Sequence, residues 1–265
     1  MEKLLKVELI AYTPNPEQII AASAKLCYSP VGICDILEKQ SDEQAHTFLK
    51  RLMSMGHESP IEHVSFTFAV EGISRIVETQ LVRHRIASYS VQSGRYVKRN
   101  NPDFVIPPMI EQSPEALAIY EETVNQTMLA YHALTDQLLT EQINHYCREK
   151  GLDIMSPEDF KANHKAKYNA FEKVAIENAR YVYPQSLATK LVFTMNARTL
   201  MNFLAHRTCR RAQDEIQALA WEVHRLVKEV APTLAQYMGP DCAVLGKCNE
   251  GAMCCGKPYP KITTS

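Results

Sequence analysis

Apolar side chains recur along this chain with two different periods. Val64, Phe66, Phe68 and Val70 alternate with Ser65, Thr67 and Ala69, which predicts a strand with one buried face. A looser alternation over residues 6–12 predicts an opening strand. Leu187, Leu191, Phe193 and Met195 predict another, with Thr189 interrupting its apolar face. Helical spacing governs most of the rest. Residues 16–27 suit a short helix, with Asn15 as N-cap and Pro16 at the first helical position. Ser41 caps a second helix that carries Phe48, Leu49 and Leu52 and stops at Gly56. The polar run 57–60 reads as a loop, and 73–84 reads as a helix with Ile76, Val77 and Leu81 turned inward. Ser113-Pro114-Glu115 opens a long helix to about Lys150, stopped by Gly151. Ser156-Pro157-Glu158-Asp159 opens another, to about Tyr183 before Pro184. Asn196-Ala197-Arg198 leads into a helix through Arg207, and 212–228 forms one more before Pro232. This order predicts an α+β fold, a small antiparallel sheet flanked by long helices. Residues 1–240 are expected to form one domain with a helical hairpin at about 113–183, followed by a cysteine-rich tail at 241–265.

Composition narrows the class. At 265 residues and 46% hydrophobic, the chain can bury a large core. Its net charge of -1 argues against a general nucleic-acid or membrane-surface partner. The N-terminus has no long apolar run and no small-residue cleavage site, and no stretch approaches the roughly 20 apolar residues of a bilayer span. A cytoplasmic protein is expected. Cys27, Cys34, Cys147 and Cys209 are scattered and read as reduced residues in or near the core. Cys242, Cys248, Cys254 and Cys255 crowd into the tail. Their gaps are wider than those of a zinc knuckle, which leaves open a metal site, a conditional disulfide or an inert thiol-rich tail.

Charge then singles out one segment. Between Thr79 and Pro102 there is no acidic residue, while Arg83, Arg85, Arg95, Lys98 and Arg99 all lie inside. Guanidinium forks pair bidentately with phosphate or carboxylate, so an unopposed cluster in a neutral chain points to an anion site. Ile86, Tyr89, Val91 and Tyr96 stand between the charges and suggest packing into the fold rather than a solvated loop. On a helix Arg83, His84 and Arg85 would fan over about 200° and could not share one ligand unless the helix unwinds there.

The spacing Arg83-His84-Arg85, seven residues, Ser93 resembles the signature of flavin-dependent thymidylate synthases. Three further segments resemble that family in order: residues 57–63 with the strand after them, residues 196–204, and residues 207–216. The resemblance covers most of 45–225 and leaves the hairpin and the tail outside. It implies a homotetramer with active sites shared between subunits, and the reductive methylation of dUMP to dTMP. It also implies FAD as cofactor, with methylenetetrahydrofolate and NADPH as co-substrates. By resemblance, His57, Ser59, Arg83, His84, Arg85, Asn196, Arg198 and Asn202 surround flavin. Gln80, Arg83, Gln92, Ser93, Gly94, Arg95, Arg180 and Arg207 hold dUMP. Gly94 allows a phosphate to approach the backbone closely. Arg207 is expected to be catalytic: a fixed guanidinium beside N3 of uracil favours the deprotonated ring and raises electron density toward C5. This dispenses with a cysteine nucleophile, and Ser93 is read as a hydrogen-bond donor.

Two positions depart from the family pattern. Ser90-Val91 stands where Asn-Glu is frequent, and Arg211 where a His is frequent. Two other readings remain: a non-enzymatic nucleotide- or RNA-binding protein using residues 83–99, and a flavoprotein reductase whose nucleotide site has drifted. His132, His145, His164 and His224 are expected to be structural or superficial.

Overall fold

Phe66, Phe68 and Val70 are fully buried along one strand face, with partly exposed Ser65, Thr67 and Ala69 opposite, as the period of two requires. The computed structural model describes residues 5–94 and 102–262; Arg95, Tyr96, Lys98 and Arg99 lie outside the described residues. The first half contains β1 (Lys6–Tyr12), α1 (Pro16–Leu26), α2 (Ile33–Lys39), α3 (Asp42–Ser54), β2 (Ser65–Ser74), α4 (Arg75–Leu81), β3 (Ala87–Val91) and α5 (Pro108–Glu111). The second contains α6 (Pro114–Lys150), α7 (Pro157–Asn163), α8 (Lys165–Ala179), β4 (Ala188–Asn196), α9 (Ala197–Arg207), α10 (Asp214–Val230), α11 (Pro232–Ala235) and α12 (Asp241–Val244). The fold is α+β, as the order of periods predicts. The described residues fall into two compact units, one within 1–91 and 189–265, the other within 92–188.

The first unit is built on a four-stranded sheet of order β1-β2-β4-β3. β1 pairs antiparallel with β2, with a bulge between Leu9 and Ala11, and β3 pairs antiparallel with β4. Thr67 meets Thr194 at 2.9 Å and Ala197 N–H donates to the Val64 carbonyl at 2.7 Å, so β2 and β4 also run in opposite directions. Leu191, Phe193 and Met195 are buried on one face of β4, and Thr189 lies buried with them. α10 supplies Ile216, Leu219, Ala220, Val223 and Val227 to the same core, and α9 supplies Leu200, Phe203 and Leu204.

Several element boundaries differ from the sequence expectation, each for a local reason. Asn15 does not cap α1 with its side chain; it adopts a left-handed conformation, φ 49°, and its carbonyl accepts from Ile19 N–H. The helix expected over 73–84 is shorter at both ends. Ser74 belongs to β2 and caps α4 by accepting from Val77 N–H, and the helix ends at Leu81. Residues 59–63 form a short 3-10 helix rather than a loop. α2 and β3 are additional elements. In the second unit the helix expected from 156 to 183 is broken at His164, whose φ and ψ of −135° and 45° are not helical. α6 packs along α8 there, around Leu139, Ile143, Cys147, Phe160, Tyr168 and Ala175.

One buried carboxylate secures the first unit. Glu17 is 5% exposed; its Oε1 accepts from the buried Leu234 N–H at 2.8 Å, and its Oε2 lies 2.9 Å from His46 Nε2. Glu17→Ala leaves that N–H at the start of α11 buried and unpaired, and the expected loss of stability is about 1–3 kcal/mol. Urea unfolding checks this through a lower midpoint at unchanged slope.

Candidate functional site

The basic turn is positioned from both sides. At its start, Glu215 in the first turn of α10 accepts from Ser74 N–H at 2.6 Å and from the Ser74 hydroxyl at 2.7 Å, which fixes the N-terminus of α4. At its end, α4 unwinds after Leu81, and the Tyr89 hydroxyl closes the turn. Its single proton is shared between the Leu81 carbonyl (2.8 Å) and the His84 carbonyl (2.9 Å), and burial pushes its pKa up to about 12. Arg83, His84 and Arg85 therefore leave the helix and escape its 200° fan. Arg83 and Arg85 are exposed, while His84 turns inward.

An aromatic file orients His84. Phe68 stacks on Phe193 at 5.1 Å, Phe193 meets Phe203 at 6.4 Å, and Phe203 meets the edge of the His84 ring at 5.1 Å. Burial, Arg207 and His206 together lower the His84 pKa to about 4, so the imidazole is neutral at physiological pH. Arg207 Nε donates to His84 Nε2 at 3.2 Å, which places the imidazole proton on Nδ1. Arg207 Nη1 donates to Gln80 Oε1 at 3.4 Å. Burial and the Arg83 guanidinium lower the Arg207 pKa below the ordinary arginine value. Both acceptors are neutral, so neither offsets the positive charge of Arg207, a setting suited to an anionic ligand.

The two segments assigned to flavin lie side by side. Asn196 ends β4 and caps α9, its Oδ1 accepting from Thr199 N–H at 2.9 Å, so its amide NH2 is the group left to offer a ligand. α9 packs against the 3-10 helix 59–63. Arg198 projects across to Glu58 at 3.1 Å and Glu62 at 2.5 Å, which raise its pKa and occupy part of its fork. His57, Ser59 and Asn202 are exposed nearby in sequence, and the Asn202 carbonyl lies 2.8 Å from His206 Nδ1.

The remaining substrate candidates belong to the second unit. Gln92 and Ser93 are half-buried just after β3. Arg180 sits at the C-cap of α8, where its Nε donates to the Glu177 carbonyl at 3.2 Å. A Cβ on Gly94 would stand 3.4 Å from Arg180 Nη1, so the glycine leaves room for the guanidinium. Arg95, the other phosphate candidate, lies outside the described residues.

Both departures from the pattern have structural explanations. Val91 pairs with Leu191 and packs with Ala87 and Tyr89 against the core, so its side chain faces away from a polar role. Arg211 pairs with Glu250 at 2.9 Å, and Arg210 donates to the Lys257 carbonyl and stacks over Tyr259, so both fasten the tail to the 208–213 loop. Among the described residues no group of three His, Cys, Asp or Glu side chains is arranged to hold a metal ion, although Cys254 hydrogen-bonds with Cys248 and Cys255, and Cys248 lies close to Cys242. Cys242, Cys254 and Cys255 accept backbone N–H groups from Tyr259, Gly256 and Lys257. Gln213 was missed from the sequence as a site residue; its Oε1 accepts from Gln80 Nε2 at 3.0 Å.

A family profile described as "Thymidylate synthase complementing protein" matches residues 8–233. A flavin-dependent thymidylate synthase of Clostridium tetani is 50% identical over 96% of this chain and 94% of its own length. One from Geobacter sulfurreducens is 41% identical over 96% of this chain and 94% of its own length. Another, from Nitratidesulfovibrio vulgaris, is 38% identical over 96% and 95%. These matches show that the chain is an enzyme and belongs to the family of flavin-dependent thymidylate synthases.

Proposed function

We propose that this chain converts dUMP to dTMP, taking the one-carbon unit from methylenetetrahydrofolate, with NADPH as the ultimate reductant. FAD, once bound and reduced by NADPH, would supply the hydride that completes the methyl group. The observation that carries this reading is Arg207, a partly buried guanidinium held by His84 and Gln80. Placed beside N3 of uracil, it stabilises the negative charge that develops as N3 loses its proton and C5 becomes nucleophilic. Gln80, Gln92, Ser93, Gly94, Arg95 and Arg180 hold the nucleotide. Arg180 is anchored through Nε, which leaves its terminal nitrogens to donate to a phosphate, and Gly94 stands beside one of them, Nη1.

His57, Ser59, Arg83, His84, Arg85, Asn196, Arg198 and Asn202 hold FAD in this reading. The donor chemistry fits: the exposed Arg83 and Arg85 suit a diphosphate, and the Asn196 amide suits the ring edge. The family resemblance supports a homotetramer with shared active sites, working in the cytoplasm. Among the described residues no helix is long and apolar enough to cross a membrane.

Tritium release from C5-labelled dUMP tests the reaction. The purified chain is expected to take up FAD and to release tritium only with both methylenetetrahydrofolate and NADPH present. NADPH oxidation without tritium release would make it a reductase. A colourless protein that takes up no FAD would end the flavin reading.

A further inference from the structure

Resting on the assignment of Arg207, we infer that Gln213 is a positioning residue that sets the amide polarity of Gln80 and thereby the orientation of the Arg207 guanidinium. A guanidinium is donor-only, so the group that Gln80 turns toward Arg207 Nη1 must be its oxygen. The Gln80 NH2 then faces the other way, at a partly exposed position. Gln213 Oε1 meets it at 3.0 Å. With Arg207 Nε on His84 Nε2, the network has one consistent direction: each acceptor is fixed by the donor before it.

The place of Gln213 in the chain agrees with this role. It occupies the N-cap of α10, where a short polar side chain would ordinarily accept from the first turn, yet its side chain makes no capping bond. A residue too long to cap efficiently reaches across to α4 instead. The fastened base of α10 makes that reach reproducible, because Glu215, two residues on, is locked to Ser74. Without the Gln213 acceptor, water takes its place and the Gln80 amide is held less firmly in the orientation that turns its oxygen to the guanidinium.

The test is a double-mutant cycle in dUMP turnover. Gln213→Met keeps the length and removes the strong acceptor; kcat is expected to fall about tenfold, with KM for dUMP changing less, since the interaction is one of orientation. Gln213→Glu keeps an acceptor and is expected to stay within about threefold of the parent kcat. In a Gln80→Leu background Gln213→Met should have no further effect, because the two act through one bond. Parent-like kcat in Gln213→Met, a Gln213→Glu variant as impaired as Gln213→Met, or an undiminished effect in the Gln80→Leu background would each overturn the inference. Arg207→Ala is assayed alongside. Full turnover there overturns the assignment of Arg207, whereas an inactive Arg207→Ala with an uncoupled cycle overturns the positioning role alone.

Discussion

Arg207→Ala is expected to lower kcat at least about 100- to 1,000-fold, the usual cost of removing one preorganised charge from a developing anion. FAD retention should change little, because the contacts assigned to flavin lie on residues 57–59, 83–85 and 196–202. The side chain ends α9 and points back to the α4 turn, where His84 and Gln80 accept from it. Truncation also removes the donor that His84 Nε2 and Gln80 Oε1 now use, but both groups are only partly buried and can take water. The protein should therefore fold and bind cofactor while failing in chemistry. Arg207→Lys separates charge from geometry. An ammonium keeps the charge but cannot engage His84 and Gln80 while presenting a planar edge to the base, so activity should remain well below the parent. Single-turnover kinetics with FAD preloaded provide the check: a variant with parent-like methylation and normal FAD content would remove Arg207 from the mechanism.

How much of this was legible beforehand depends on whether the determinants are local. α9 was predicted with both ends correct, because Asn196 caps it and Arg207 lies just before Thr208, where the helix ends. The cap at Ser41 and the stop at Gly151 were legible for the same reason, while the reciprocal bond from Ser41 N–H to the Gln44 side chain came only with the structure. β3 was not: Ala87, Tyr89 and Val91 alternate inward, but the flanking basic residues and the serines between them resemble loop chemistry. The sequence pattern runs past the end of α4 because the stop depends on Tyr89, which reaches back from β3 to close the turn. The break at His164 was hidden by helix-forming neighbours on either side. In the site, the motif named the residue types, but the hydrogen-bond direction through Gln213, Gln80, Arg207 and His84 spans about 130 residues of sequence and emerges only on folding.

Arg180→Ala should act on substrate binding rather than on the chemical step. Its guanidinium is held at the C-terminus of α8, where the helix end favours a cation and the Glu177 carbonyl anchors Nε. That anchoring leaves the two terminal nitrogens for the phosphate contact proposed above. A charge-assisted hydrogen bond contributes about 1.5–3 kcal/mol, so losing it is expected to raise KM for dUMP about 10- to 100-fold at nearly unchanged kcat. Arg180→Lys should recover part of this, since one ammonium cannot reproduce a fork. Gly94→Ala tests the same contact from the other side. Its Cβ would lie 3.4 Å from Arg180 Nη1, a tight contact that the flexible arginine end can relieve by shifting a few tenths of an ångström, so KM should rise only modestly. Gly94→Val adds two branches on that side and should approach the effect of removing the arginine. If Arg180→Ala instead lowered kcat with KM unchanged, the side chain would belong to the reacting end of the nucleotide and the phosphate assignment would fail. The order expected for KM, parent below Gly94→Ala below Gly94→Val, follows from the size of the group placed against Arg180 Nη1. A steric wall without a phosphate role would leave the KM for dUMP unmoved across all three.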